Sequence, residues 1–181
     1  MITQIVIRQS EFDNDENWIV VDSLSKFAVQ AGEAGFGTAE LPPEVMWNSQ
    51  VTLAFGQINR NGPSGYFYNV LAPVDGTSKW DLLIEATKSG LAALGEIPQR
   101  AAYDGIIEAY IANRSAILAG RHSNSIYKLA NDFELLCSFM PSSEAEDIFM
   151  ALRTAWVRSL ENLKVVPDQS YEQAVASALT Q

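Results

Sequence analysis

Trp47, Val51, Ala54, Phe55 and Ile58 recur at spacings of four, three, one and three, which lines them along one side of a helix and commits the stretch to burying a stripe. Met46 and Leu53 widen that stripe. Pro42-Pro43 opens the helix, since the first turn has N–H groups without intrahelical partners and proline lacks one anyway. The run then meets Asn61-Gly62-Pro63, and Pro63 biases the residue before it away from α, so a turn is expected over residues 59–69. Asn59, Asn61, Gly62, Gly65 and Asn69 suit a backbone-setting role there, because Asn and Gly tolerate positive φ and Asn bonds nearby main chain. Tyr66, Phe67 and Tyr68 bring apolar bodies and two hydroxyls. Extended backbone would put Tyr66 and Tyr68 on one side and Phe67 on the other. Core packing is the main reading of these aromatics, and the wall of a small-molecule or enzyme pocket is the alternative.

The remaining elements are mostly helical. Residues 2–12 form a short β-prone run rich in Ile and Val. A helix follows from about Asn17, with Trp18, Val21, Leu24, Ala28 and Ala31 on one face and Gly32 as its stop. Residues 70–78 read as a loop with an Asp75-Gly76 turn. Trp80, Leu83, Ile84, Leu91 and Leu94 define a helix stopped by Gly95, and Pro98 starts another that buries Ala102, Tyr103, Ile106, Ile107, Tyr110 and Ile111. Ile126, Leu129, Ala130, Phe133, Leu136, Cys137 and Met140 make the most regular stripe, capped at Ser123 or Asn124 and closed before Pro141. Ser143 and Glu146 fit a capping box ahead of Ile148, Phe149, Leu152, Trp156 and Leu160, and Ser170 with Gln173 fits another ahead of a short final helix.

These patterns predict a mainly α protein: one globular helical domain over residues 1–181, about seven helices and a short N-terminal strand. A lone strand needs a partner for its backbone groups. Leu163-Lys164-Val165-Val166 could pair with Ile5-Val6-Ile7, or a second copy could do so in a homodimer.

Among 181 residues, 48% are hydrophobic and 19% charged, ordinary for a globular chain. One cysteine makes no demand for an oxidising compartment, and no run approaches the roughly 18 apolar residues that span a bilayer, so a cytoplasmic protein without a membrane partner is expected. The net charge of −10 disfavours direct nucleic-acid binding, which depends on neutralising phosphates, and favours basic partners. Acidity can also serve solubility alone.

Chemistry is faint. His122 is the only histidine, set among Arg121, Ser123 and Asn124 as if in a helix-start loop, which removes any multi-histidine metal site. Cys137 falls in an apolar stripe, where a thiol is expected to be buried and inert. Gly32, Gly35 and Gly37 lack phosphate-loop spacing, and Gly62-Pro63-Ser64-Gly65 lacks that of a nucleophile elbow. No catalytic residue, metal or cofactor is predicted.

Gln57-Ile58-Asn59-Arg60-Asn61-Gly62, continuing to Tyr66-Phe67-Tyr68-Asn69, resembles the Q-V-N-N-G-G-F-x-Q-F/Y-x-Y-N signature of a bacterial family of acidic DNA-mimic proteins, many of unknown function. Ile5-Val6-Ile7-Arg8-Gln9-Ser10-Glu11-Phe12 resembles that family's I-V-V-S-x-E-S-F opening, and Gly90-Leu91-Ala92-Ala93-Leu94-Gly95 its G-L-x-A-I/M-G-A. Glu40-Leu41-Pro42-Pro43-Glu44 and Trp47 belong to the same similarity, which covers roughly residues 1–115 and leaves 116–181 as additional helices. The turn here is longer than the family's and lacks the Gln before the aromatic. The resemblance implies a non-enzymatic protein that offers carboxylates to a basic surface, either the DNA-binding face of a transcription factor or, as in immunity-like proteins, a toxin. Asp13, Asp15, Glu16, Glu40 and Glu44, which precede two of the predicted helices, are then the expected partner-binding residues.

Overall fold

Ile5, Val6 and Ile7 are all fully buried, so the first strand, β1 (Ile5–Arg8), reads as a continuous apolar run instead of an alternating one. It pairs in parallel with β2 (Leu163–Val166), Ile5 opposite Leu163 through Arg8 opposite Val166. The strand's partner therefore comes from the same chain. In the computed structural model of the protein, residues 1–72 and 80–180 are described; the expected Asp75-Gly76 turn lies outside them. Between the strands run α1 (Gln9–Phe12), α2 (Asn17–Glu33), α3 (Pro43–Tyr66), α4 (Trp80–Ala93), α5 (Pro98–His122), α6 (Asp132–Phe139) and α7 (Ser143–Arg158), and α8 (Tyr171–Ala178) follows β2. The protein is thus mainly helical with a short N-terminal strand. Two compact units emerge, Met1–Ser49 with Asp147–Gln181, and Gln50–Glu146.

In the first unit, Val20, Val21, Leu24, Phe27 and Ala31 of α2 join β1, Val157 of α7 and Tyr171 and Val175 of α8 in one core. Trp18 was expected on that face but is 55% exposed, its indole N–H donating to Glu16 Oε2 at 2.7 Å. Gly32 lies inside α2 and is not its stop. The helix ends through Gly35 (φ +92°), with Phe36 N–H bonding Ala31 O and Gly35 N–H bonding Gly32 O, and Phe36 packing back on the core. On α3, which begins in this unit and continues in the second, the buried positions ahead of Gly62 are Val45, Asn48, Val51, Ala54 and Ile58, while Trp47 and Phe55 are only half-buried and Leu53 is exposed. Asn48 moves the stripe: its side chain donates to Val21 O at 3.0 Å and accepts from the buried Arg153 at 2.8 Å. α7 likewise turns a different face inward. Phe149, Arg153, Thr154 and Val157 are buried, whereas Ile148 and Leu152, expected inside, face out. Ser142, one residue before the expected cap, accepts the Ala145 N–H, and at α8 no side-chain cap forms at Ser170.

In the second unit, the predicted turn at residues 59–69 is helical. Gly62 (φ +71°, ψ 171°) takes up the break as a kink inside α3, and the helix resumes with Pro63 in the new first turn, where its missing N–H is no loss. A π-helical turn, Phe67–Leu71, follows directly, so Tyr66 to Tyr68 do not alternate as an extended strand would. α4 stops at Gly95 (φ +93°) as expected. α5 buries Tyr103, Ile106, Ile107 and Tyr110 but leaves Ile111 exposed. Its end is set by Asn124 at φ +57°, with Ser125 N–H on Gly120 O, so His122 and Ser123 belong to a helix terminus and not to a helix start. The expected stripe from Ile126 to Met140 is cut short because α6 begins only at Asp132. Leu129 and Phe139 are buried, while Ile126, Cys137 and Phe133, the last 75% exposed, are not. The predicted burial of Cys137 is therefore wrong.

Candidate functional site

The expected acidic residues all fall in the first unit. Asp13, Asp15 and Glu16 share the short link from α1 to α2, and that link is held by one side chain: the Arg158 guanidinium donates to Phe12 O and Asn14 O, both at 2.9 Å. Asp13 Oδ2 accepts from Gln9 Nε2 at 2.7 Å, and Glu16, whose N–H rests on Asn14 Oδ1, occupies the N-cap position of α2. Asp13, Asp15 and Glu16 are exposed. Glu40 and Glu44 flank Pro42-Pro43 elsewhere along the chain: Glu40 Oε2 accepts the Gly37 N–H at 2.8 Å, and Glu44 Oε2 accepts from Asn162 Nδ2 at 3.3 Å. The carboxylates at helix starts thus do local work as well, as the partial positive charge of a helix N-terminus favours.

This unit carries twelve acidic against five basic side chains, a net of −7, leaving −3 for the other. Four of the five cations are already turned toward the unit's own acceptors: Arg8 to Glu172 at 2.9 Å, Lys26 to Glu11 and Asp22, Arg153 to Asn48, and Arg158 to the carbonyls above. The hydrogen bond to Glu11 raises the Lys26 ammonium above its usual range, so it stays charged through the physiological span. Burial works the other way on Arg153, lowering it to about 10.

The signature residues sit in the second unit and bond one another. Gln57 Oε1 accepts from Asn61 Nδ2 at 2.9 Å and from Asn69 Nδ2 at 3.0 Å, while a Cβ on Gly65 would meet that of Asn61 at 2.2 Å. Tyr66 and Phe67 are buried. The Tyr66 and Tyr103 hydroxyls lie 2.8 Å apart, and desolvation pushes both phenols upward. Tyr68 donates to Ser125 O, and Arg121 donates to Tyr68 O and Ala72 O, tying down carbonyls of the π-helical turn. A groove of about 310 Å3 opens beside Tyr103, and its cations Lys88 and Arg100 are ion-paired with Asp104 and Glu96. A second, of about 360 Å3, lies in the first unit beside Arg8, Lys26 and Tyr171. Tyr66, Phe67 and Tyr68 wall neither.

Sequence reading missed Arg153, Ser64 and Asp132 as organisers. Arg153 could have been found from its spacing of four from both Phe149 and Val157; Asp132 touches Ser64 across 68 positions, which no local pattern encodes. Among the described residues there is no cluster of metal-binding side chains, and no helix is long and apolar enough to cross a membrane. Compared with known proteins, the chain matches no family model, no curated protein and no solved structure.

Proposed function

We propose that this chain is a non-enzymatic acidic interaction protein whose first unit, Met1–Ser49 with Asp147–Gln181, offers carboxylates to a basic macromolecular partner. The observation that carries the reading is the internal use of that unit's cations: Arg8, Lys26, Arg153 and Arg158 are spent on neighbouring acceptors, while Asp13, Asp15 and Glu16 remain exposed on a link pinned by Arg158. A field of one sign raises the rate of encounter with the opposite sign and rejects polyanions. Gln57, Asn61 and Asn69 carry the resemblance to the DNA-mimic family, which implies a DNA-binding protein as the basic partner; a basic toxin satisfies the same physics. The reducing cytoplasm, which a single cysteine suits, is the compartment this reading implies.

The test is a capture from the native host at low and high salt with the full chain as bait, repeated with Asp13→Lys, Asp15→Lys and Glu16→Lys combined. A basic partner retained at low salt, released at high salt and lost by the reversed variant supports the proposal. Capture indifferent to both changes contradicts it.

A further inference from the structure

Asp22, Ser25, Lys26, Val29 and Gln30 follow one another on α2 at spacings of three, one, three and one, so they share a face of the helix. It is not the face that carries Val20, Leu24 and Phe27 into the core. It walls the groove of about 360 Å3 in the first unit, which Arg8 at the end of β1 and Tyr171 at the start of α8 complete. One end of that groove is rich in donors. The Tyr171 hydroxyl donates to Gln30 Oε1 at 2.7 Å, which leaves the Gln30 Nε2 group without a partner among the described residues. Arg8 lies over the Tyr171 ring, 4.1 Å from its centroid, and gives only Nη2 to Glu172 at 2.9 Å, so its other N–H groups remain available near that amide. The other end holds an acceptor. Lys26 Nζ bonds Glu11 Oε1 at 2.8 Å and stands 3.5 Å from Asp22 Oδ2, which leaves the Asp22 carboxylate loosely paired and 44% exposed. Along the wall between them lie the Ser25 hydroxyl, also unpartnered among the described residues, and Val29, which is 61% exposed.

We propose that this groove binds a free peptide of two or three residues, its terminal carboxylate on Arg8 and Gln30 and its terminal ammonium on Asp22. Length sets the class. Asp22 and Gln30 lie about 12 Å apart along α2 at the helical rise, a separation that an extended chain of about three residues covers once the protein side chains reach inward. The two charges of a single α-amino acid sit on one carbon and do not meet both ends. Charge agrees. A zwitterion brings no net charge to a unit at −7, whereas a simple anion is repelled by that field and a simple cation meets Arg8 and Lys26. Ser25 can bond the ligand's amide groups midway, and Val29 with the aliphatic stem of Lys26 offers contact to a small apolar side chain. The site goes beyond the partner reading above and does not depend on it, because Asp13, Asp15 and Glu16 line no part of the groove.

The probe is trialanine, titrated into the isotopically labelled full chain beside three comparison compounds: its N-acetylated form, its C-terminal amide and free alanine. Trialanine should shift the Gln30 side-chain amide, the Arg8 Nε–H and the Val29 methyls, and each comparison compound should bind about tenfold more weakly or worse. Arg8→Gln should erase the preference for the carboxylate over the amide, and Asp22→Asn the preference for the free amine over the acetylated one. Asp22 is a partly exposed position on α2, so Asp22→Asn decides the matter even where Arg8→Gln changes the circular-dichroism spectrum. No shift of those signals by roughly 10 mM trialanine, or equal binding of the blocked peptides, overturns the inference. So does free alanine that binds as tightly as trialanine, or a preference for the free amine that survives Asp22→Asn.

Discussion

The Asp132 carboxylate meets Ser64 twice, its Oδ1 accepting from the Ser64 backbone N–H and from the Ser64 hydroxyl, each at 2.7 Å. The hydroxyl in turn accepts the Leu129 N–H at 3.0 Å. Asp132 thereby caps the restarted part of α3 just after the Gly62 kink, a role usually filled by the residue before the helix. Gly62→Ala is expected to be costly for two separable reasons. Its backbone (φ +71°) lies where side chains are strained by about 1–3 kcal/mol, and its new Cβ would fall 2.5 Å from Asp132 Oδ2. In an Asp132→Ala background the second reason vanishes, so the cost of Gly62→Ala should shrink without reaching zero. Chemical denaturation of the four proteins in this cycle measures the coupling.

Asn48 and Arg153 make the buried polar centre of the first unit. Asn48→Ala removes an acceptor from a guanidinium and the donor to Val21 O, and should cost about 2–3 kcal/mol. Replacing both, as Asn48→Leu with Arg153→Met, should recover much of that loss, because an apolar pair of similar volume avoids burying a charge. Melting temperatures of the single and double variants decide the matter.

Tyr66 and Tyr103 face each other with both phenols raised above the ordinary value of 10.0, chiefly by burial. A folded state that holds its phenolic protons while the unfolded chain releases them is relatively stable below about pH 10 and loses that stability as pH climbs further. Thermal stability should therefore fall through the alkaline range. Phenolate absorbance of these two residues should appear together with unfolding and not before it. Tyr66→Phe should cost about 1 kcal/mol at neutral pH and reduce the alkaline decline.

The phase of α7 gives a sharp contrast between neighbours. Phe149 is fully buried and Phe149→Ala should cost about 3–5 kcal/mol, while Ile148→Ala, at a position 55% exposed, should stay within about 1 kcal/mol of the parent. Denaturant midpoints of the two variants would distinguish this phase from the one that buries Ile148.

Most of the helices were legible because apolar spacing and glycine stops are local signals: Gly95 ends α4 where the sequence places it, and Pro98 begins α5. Phase was less legible. A polar residue with a distant partner can displace a hydrophobic one from the buried face, as Asn48 does for Trp47 and Arg153 for Leu152, and the partner is invisible at helical range. The Asn-Gly-Pro sequence reads as a helix stop on its own; with Asp132 supplied from 68 positions away it becomes a kink in a helix that continues. Of the candidate site, the exposure of Asp13, Asp15 and Glu16 follows from their polar run, but the Arg158 clamp on their link lies 144 positions away from Asn14.

The proposed partnership depends on charge, so the decisive measurement is the association rate with the captured basic partner as salt is raised. The rate should fall steeply with ionic strength and slow further when Asp13, Asp15 and Glu16 are reversed to Lys with the fold intact, and the chain itself should show no tight binding of duplex DNA. A rate indifferent to salt and to those reversals, or tight direct binding of duplex DNA, would contradict it.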